Sequence, residues 1–310
     1  MTVIEVRNLN KDFGGAKILK GISFSVDEGE IFGFLGPNGA GKTTTMRILL
    51  GLLRPSSGEA LVSGANLADN DDLRQKVGVL LENNGLYDRL SAYENLDYYA
   101  RLYGRVDDRE RIDQMLLLTG LQERKDDPVG TFSLGMKRKL GLARAIIHEP
   151  EFLFLDEPTS GLDPEAQRMV RDLILDLSRK GNITVFLNSH HLDEVEKICS
   201  KVAILHRGTI RACDSVENLR ESSGVPVVEF TTANRDEIPR AKDALLANPG
   251  VESVQEEGQK LVVLLRTGHS LAAILRDLVL QGIGVEEVKK VNRSLEDIYL
   301  EAVHEQEGSP

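Results

Sequence analysis

The sequence predicts an α/β protein with a smaller α+β domain appended. Three observations carry this. Over the first 224 residues, short apolar runs alternate with amphipathic stretches, as strands and helices do in α/β proteins. Near Ser222, Ser223, Gly224, Val225 and Pro226 the composition turns to that of a linker. Beyond this seam the order becomes strand, helix, two strands, helix, strand.

In the first domain, short strands are predicted at 4–6 and 23–26, around a turn carrying Gly14, Gly15 and Gly21. Residues 31–35 read as a buried strand running into a glycine-rich turn. A helix over 42–53 follows, stopped by Arg54 and Pro55. Four more buried strands are predicted at 77–81, 152–155, 184–188 and 202–205. Among them, residues 92–121 are rich in helix formers and predict a helical lobe beside the sheet.

In the second domain the predicted elements are a strand at 227–231, a helix at 236–247, strands near 251–254 and 261–265, a helix at 271–281 and a strand at 285–291. That order is the ferredoxin-like arrangement. A last helix over 294–302 takes Ser294 as its N-cap. The domains are therefore expected at 1–221 and 227–304, with a linker at 222–226 and a tail at 305–310.

Hydrophobic residues make up 41% and charged residues 28%, which fits a soluble protein with a real core. No stretch approaches the roughly 18 apolar residues that span a bilayer. The N-terminus lacks the basic and apolar regions of a secretion signal, so the chain is expected to stay in the cytosol. Cys199 and Cys213 are too few and too badly placed for a metal site, and read as reduced thiols. A net charge of −11 argues against nucleic acid or an anionic lipid surface as the main partner. It leaves open docking onto basic loops of another protein.

Two clusters carry chemistry. Gly36, Pro37, Asn38, Gly39, Ala40, Gly41, Lys42 and Thr43 fit G-x-x-x-x-G-K-[ST] between a predicted strand and a predicted helix. Gly36, Gly39 and Gly41 let backbone N–H groups form a nest for phosphate. The helix that follows turns its positive end to the same place. Lys42 is assigned to the β- and γ-phosphates and the Thr43 hydroxyl to Mg²⁺. Thr44 is expected to help the turn and Thr45 to cap the helix.

The second cluster closes the strand at 152–155 with Asp156 and Glu157. Successive strand side chains point to opposite faces, so the two acids need not share a role. Asp156 suits the Mg²⁺ position of a phosphate-turn enzyme. Glu157 suits the group that polarises the attacking water. An acidic pair stabilised by a helix dipole is the plainer alternative. The phosphate turn upstream favours the functional one.

From here the sequence resembles the ABC transporter ATPases. After Lys42 come Phe132-Ser133-Leu134-Gly135-Met136, similar to the family signature Leu-Ser-Gly-Gly-Gln. The Asp156-Glu157 pair follows. Ser160-Gly161-Leu162-Asp163 resembles the D-loop, and His190 after Asn188-Ser189 looks like the switch histidine. Phe13 stands where the family sets an aromatic ring against adenine; ordinary core is its alternative. The resemblance covers roughly residues 3–221, and the ordered set of motifs makes it specific.

It implies a P-loop NTPase core of RecA-like type with antiparallel β and helical subdomains, binding ATP and Mg²⁺. It also implies a homodimer closed head to tail over two ATPs. Ser133 and Gly135 of one copy would complete the γ-phosphate shell of the other, and His190 would hold water and Glu157 in place. The implied partner is a separately encoded polytopic membrane permease, with this chain peripheral on the inner face of the membrane. The appended domain and the signature resemble those of ABC-2-type exporters.

Two departures stand out. Leu134 and Met136 replace a glycine and the glutamine of the signature, while Ser133 and Gly135 are kept. Glu82 stands where the family usually has Gln. It is either a metal or water ligand with altered tuning or a solvated loop charge. Residues 83–99, with Tyr87, Tyr93, Tyr98 and Tyr99, fall where the permease's coupling helix docks in the family. Tyr98 and Tyr99 read as packing and Tyr87 is left open. His191 reads as a bystander, and His148 as a partner of a helix C-terminal dipole. Two rivals remain: a soluble ABC ATPase acting on ribosomes or DNA, and a regulatory ATP-binding module of low turnover.

Overall fold

The computed structural model describes residues 1–222, 227–266, 268–291 and 294–304. The expected tail, and all of the expected linker except Ser222, lie outside the described residues. Two compact units divide the chain, one over Met1–Val216 and one over Glu217–Glu301. The helix that ends at Ser222 thus falls largely with the second unit rather than closing the first.

The first unit opens with β1 (Thr2–Phe13), β2 (Ala16–Asp27) and β3 (Ile31–Leu35), followed by α1 (Lys42–Leu49), β4 (Ser57–Val62), α2 (Asp71–Arg74) and β5 (Val77–Leu80). The lobe helices are α3 (Ala92–Leu102), α4 (Arg109–Leu118) and α5 (Leu134–Ile146). Then come β6 (Phe152–Asp156), α6 (Pro164–Gly181), β7 (Thr184–Ser189), α7 (Leu192–Ile198), β8 (Lys201–His206) and β9 (Thr209–Ser215). The main sheet has the order β5-β6-β7-β3-β8-β9. Its members pair in parallel except for β9, which pairs antiparallel with β8. A separate antiparallel sheet has the order β2-β1-β4.

A seam of phenyl rings packs these two sheets together. Phe24 of β2 stacks on Phe32 of β3 at 5.3 Å and meets Phe34 at 5.2 Å and Phe186 of β7 at 6.0 Å. Phe154 of β6 lies 5.6 Å from Phe186. Phe32 and Phe34 share a face because strand side chains alternate, and Phe186 is the lateral neighbour of both Phe32 and Phe154 in register. All five rings are buried. Aromatic contacts of this kind add about 0.5–1.5 kcal/mol per pair beyond area burial.

The structure corrects several expected elements. The strands expected at 4–6 and 23–26 are each 12 residues long. Their pairing carries several irregularities that break the period-2 pattern. The helix from Lys42 stops at Leu49 rather than at 53, and Gly51 turns the chain. The helical region 92–121 is two helices, each opened by a side-chain cap: Ser91 and Glu94 form a capping box on α3, and Asp108 caps α4.

In the second unit, α8 (Val216–Ser222) is followed by β10 (Val227–Thr232), α9 (Ile238–Ala247), β11 (Val251–Glu257), β12 (Lys260–Leu265), α10 (Leu271–Leu280) and β13 (Val285–Val291). Its sheet is antiparallel in the order β11-β12-β10-β13, the ferredoxin-like topology expected from the sequence. Val228 and Phe230 of β10 with Leu261, Val263 and Leu265 of β12 form the buried face. Ile238, Ala241 and Leu245 of α9 with Ile274 and Leu278 of α10 join them in one core. A last helix, α11 (Leu295–His304), starts on Ser294, whose hydroxyl accepts from the Asp297 N–H at 3.2 Å.

His148 departs from the dipole role. Its ring stacks on Tyr103 at 3.7 Å, and its Nε2 lies 3.2 Å from the Val77 carbonyl oxygen. Burial pushes its pKa down from 6.5 to about 4, so it is a neutral packing group. The folded value lies below the unfolded one, so stability is lost as pH falls through that window. The unfolding midpoint of the wild type should therefore drop more steeply between pH 6.5 and 4 than that of His148→Gln. Thermal melts across this range check it; parallel curves would refute the assignment.

Candidate functional site

The site forms where the strands of the main sheet end. β3 ends at Leu35, the chain turns through 36–41, and α1 begins at Lys42. Two glycines make the turn possible. Gly41 has φ 116°, and a Cβ on Gly36 would come within 2.3 Å of the Leu205 carbonyl oxygen. Thr45 donates back to the Gly41 carbonyl at 3.0 Å. The Lys42 side chain is only 6% exposed. Its ammonium donates to Gly36 O at 2.7 Å and to Pro37 O at 3.4 Å, and it lies 3.6 Å from Glu157 Oε1. Burial pulls its pKa down, against the opposing pull of Glu157 and Asp156.

Asp156 is held from two sides. The Thr43 hydroxyl donates to Oδ2 at 3.3 Å and the Asn188 amide donates to Oδ1 at 3.0 Å. Asn188 is its cross-strand partner on β7.

Alternation does not separate the two acids. β6 ends at Asp156, and Glu157 takes a left-handed backbone conformation with φ 51°. Its N–H donates to the Asn188 carbonyl at 3.0 Å. As a result, both carboxylates border one cleft. Glu157 Oε1 lies 2.8 Å from His190 Nδ1, and the carboxylate is largely buried. The ring of His191 sits 4.0 Å from that of His190, and one ligating atom from each of Glu157, His190 and His191 falls within a 4.8 Å group.

The cleft encloses about 680 Å³, a volume in the usual range for a small-molecule site. Pro37, Asn38, Gly39, Gly41, Lys42, Thr43 and Thr44 form one wall, while Ala40 is buried behind. Phe13 borders the cleft and is half exposed, so it is not core; Lys11 Nζ lies 4.7 Å above its ring. Glu82 is exposed and also borders the cleft.

Of the signature, Leu134 reaches the cleft, whereas Ser133 and Gly135 are not among the bordering residues. The Ser133 hydroxyl instead accepts from Met136 N at 3.2 Å as the cap of α5. Asp163 likewise caps α6, accepting from Ala166 N at 2.9 Å.

Sequence reasoning passed over two residues, Asn188 and Arg138. A polar residue ending the apolar run of β7 signalled the first. The second sits in a Lys137-Arg138-Lys139 run, and its side chain is buried.

A second groove of about 500 Å³ is bordered by Val79, Leu81, Tyr99, Tyr103, Arg144 and His148, among others. Arg144 stacks over the Tyr99 ring at 4.9 Å, and the Tyr99 hydroxyl donates to the Gly85 carbonyl. Tyr87 and Tyr98 meet edge to face at 5.1 Å and both remain exposed.

A phosphate turn, a buried lysine, a hydroxyl–carboxylate pair and a second carboxylate around one cleft define a nucleoside triphosphatase. Residues 19–160 match the ABC transporter family, and residues 215–303 match the C-terminal domain described as ATP-binding protein DrrA1-3-like. The chain is 38% identical to the ABC transporter ATP-binding protein YhcH of Bacillus subtilis (strain 168), over 98% of this chain and 97% of the relative. To the bacitracin transport ATP-binding protein BcrA of Bacillus licheniformis it is 44% identical, over 67% and 68%. A solved ATP-binding subunit of an ABC transporter superposes with a TM-score of 0.66 at 31% identity, covering 72% of this chain and 93% of that one. The chain belongs to the ABC transporter ATP-binding proteins. It is an ATPase that powers a transporter, and subunits of this family work with separate transmembrane components. Among the described residues, no helix is long and apolar enough to cross a membrane.

Proposed function

We propose that this chain drives an ABC-2-type exporter by closing and reopening a head-to-tail homodimer over two ATPs. The observation that carries the reading is the incomplete cleft. Lys42, Asp156, Glu157 and His190 converge on it, while Ser133 and Gly135 of the same chain do not border it. A second copy would bring its Ser133 hydroxyl and the backbone around Gly135 to the γ-phosphate. Asp163, at the start of α6, would approach the nucleotide from across the same interface.

Each residue then has a task. The 36–41 turn and Thr44 cradle the phosphates, Lys42 neutralises them and Phe13 stacks on adenine. Glu157 accepts the proton of the attacking water, and His190 holds both the water and the carboxylate in line. Thr43 and Asp156 present hard oxygen donors 3.3 Å apart, a donor set that suits Mg²⁺, with Glu82 as a further oxygen at the cleft. The ion would offset charge on the phosphates. ATP binding closes the dimer and hydrolysis reopens it, so the cycle can do mechanical work.

The groove at Tyr99, Arg144 and His148 would seat a cytoplasmic segment of a separately encoded polytopic permease, placing this chain on the inner face of the membrane. Outward transport is supported by relatives whose names refer to bacitracin transport and linearmycin resistance. Tagged protein purified from detergent-solubilised native membranes should carry a stoichiometric polytopic protein, identified by mass spectrometry. Recovery with ribosomes, DNA or no partner at all would overturn this reading.

A further inference from the structure

The side chain of Arg138 projects from α5 into the junction between two strand ends, and the residue is only 4% exposed. Its five N–H groups serve six acceptors. On one side are three consecutive carbonyls: Asp156 O at 3.0 Å, Glu157 O, and Pro158 O at 3.2 Å. On the other are Leu81 O at 2.9 Å, Glu82 O at 3.2 Å and Asn84 Oδ1 at 3.0 Å. One planar guanidinium therefore joins the chain leaving β6 to the chain leaving β5.

We propose that Arg138 is a positioning residue for hydrolysis, clamping the backbone that aims Glu157 and tying it to the loop that carries Glu82. The inference rests on reading Glu157 as the base. A non-glycine residue holds a left-handed conformation only when its surroundings impose it. At Glu157 the N–H is fixed by Asn188 O, and the carbonyls from 156 to 158 are fixed by Arg138. The carboxylate meets only side chains, His190 Nδ1 at 2.8 Å and the Lys42 ammonium at 3.6 Å, so the backbone that carries it sets how far it reaches. Displacement of Glu82 or Asn84 would reach Glu157 through the same guanidinium. Lysine cannot replace this group: its ammonium has three donors around a point and cannot present a planar fork to six acceptors.

The test is Arg138→Lys in the full-length chain, with Arg138→Gln as a second variant and Glu157→Gln as control. Single-turnover hydrolysis, equilibrium ATP binding, thermal melting and amide exchange are measured on each. A small displacement of a catalytic group can cost up to about 100-fold in rate. We expect kcat to fall about 10- to 100-fold, with ATP affinity within about twofold of wild type. Amides at 81–84 and 156–158 should exchange faster together, while those within β6 keep their protection.

A kcat within about threefold of wild type in both variants overturns the proposal. So does a loss of ATP affinity in step with kcat, or failure of both variants to fold, since either marks a merely structural residue. The control separates the two readings. If Glu157→Gln keeps turning over, the base assignment is what fails. If it stops and the Arg138 variants do not slow, only the clamp fails.

Discussion

Glu157→Gln should bind ATP and fail to hydrolyse it. The substitution keeps shape and volume and removes the carboxylate that, on the proposed reading, takes the water's proton. General-base catalysis is worth about 10²- to 10⁴-fold, and loss of turnover in that range is expected. Binding should persist or tighten, because a negative charge 3.6 Å from Lys42 disappears and no longer faces the γ-phosphate. Folding should change little, because the amide keeps the side chain's shape and Lys42 keeps its bonds to the Gly36 and Pro37 carbonyls. Phosphate release measured beside equilibrium ATP binding gives both quantities. A variant that turns over within about threefold of wild type would remove Glu157 from the base role.

Lys42→Ala should lose the nucleotide instead. Its ammonium is buried and anchored on the Gly36 and Pro37 carbonyls, which fixes it at the mouth of the turn. Hydrogen bonds to charged groups contribute about 1.5–3 kcal/mol each. Losing two on the phosphates corresponds to roughly 10²- to 10⁴-fold weaker ATP binding. The fold should suffer as well, since Glu157 and Asp156 lose the cation that offsets them. An ATP titration combined with a melting curve reads both effects. Unchanged affinity would mean that the phosphates do not sit at the 36–41 turn.

The sequence made the phosphate turn, the acid pair and the main strands legible because each depends on local chemistry. Strand–glycine–helix spacing needs no knowledge of distant residues, and the apolar runs of β3, β6 and β7 declare burial on both faces. Elements shaped by distant partners were harder to read. The polar ends of β1 and β2 are strand because they pair with each other, while β4 and β9 are antiparallel strands in which polar residues interrupt or outnumber short apolar stretches. Glu157 shares one cleft with Asp156 through a left-handed backbone turn that strand periodicity does not describe. Nothing in the local pattern marks Arg138, whose acceptors come from two strand ends distant in sequence. In the second unit, βαββαβ order and apolar alternation were enough, and the sheet order followed.

The phenyl seam also works as a gauge. Phe13 lies at the end of β1, in the hairpin with β2, whereas Lys42 follows the end of β3. On the proposed reading, the ring that stacks on the base and the anchor of the phosphates would thus hang from different sheets. Rings wedged between those sheets at 5.2–6.0 Å set the span between the two ends of the cleft. An interior built for cohesion would thereby also set the distance that a nucleotide has to reach from base to phosphate.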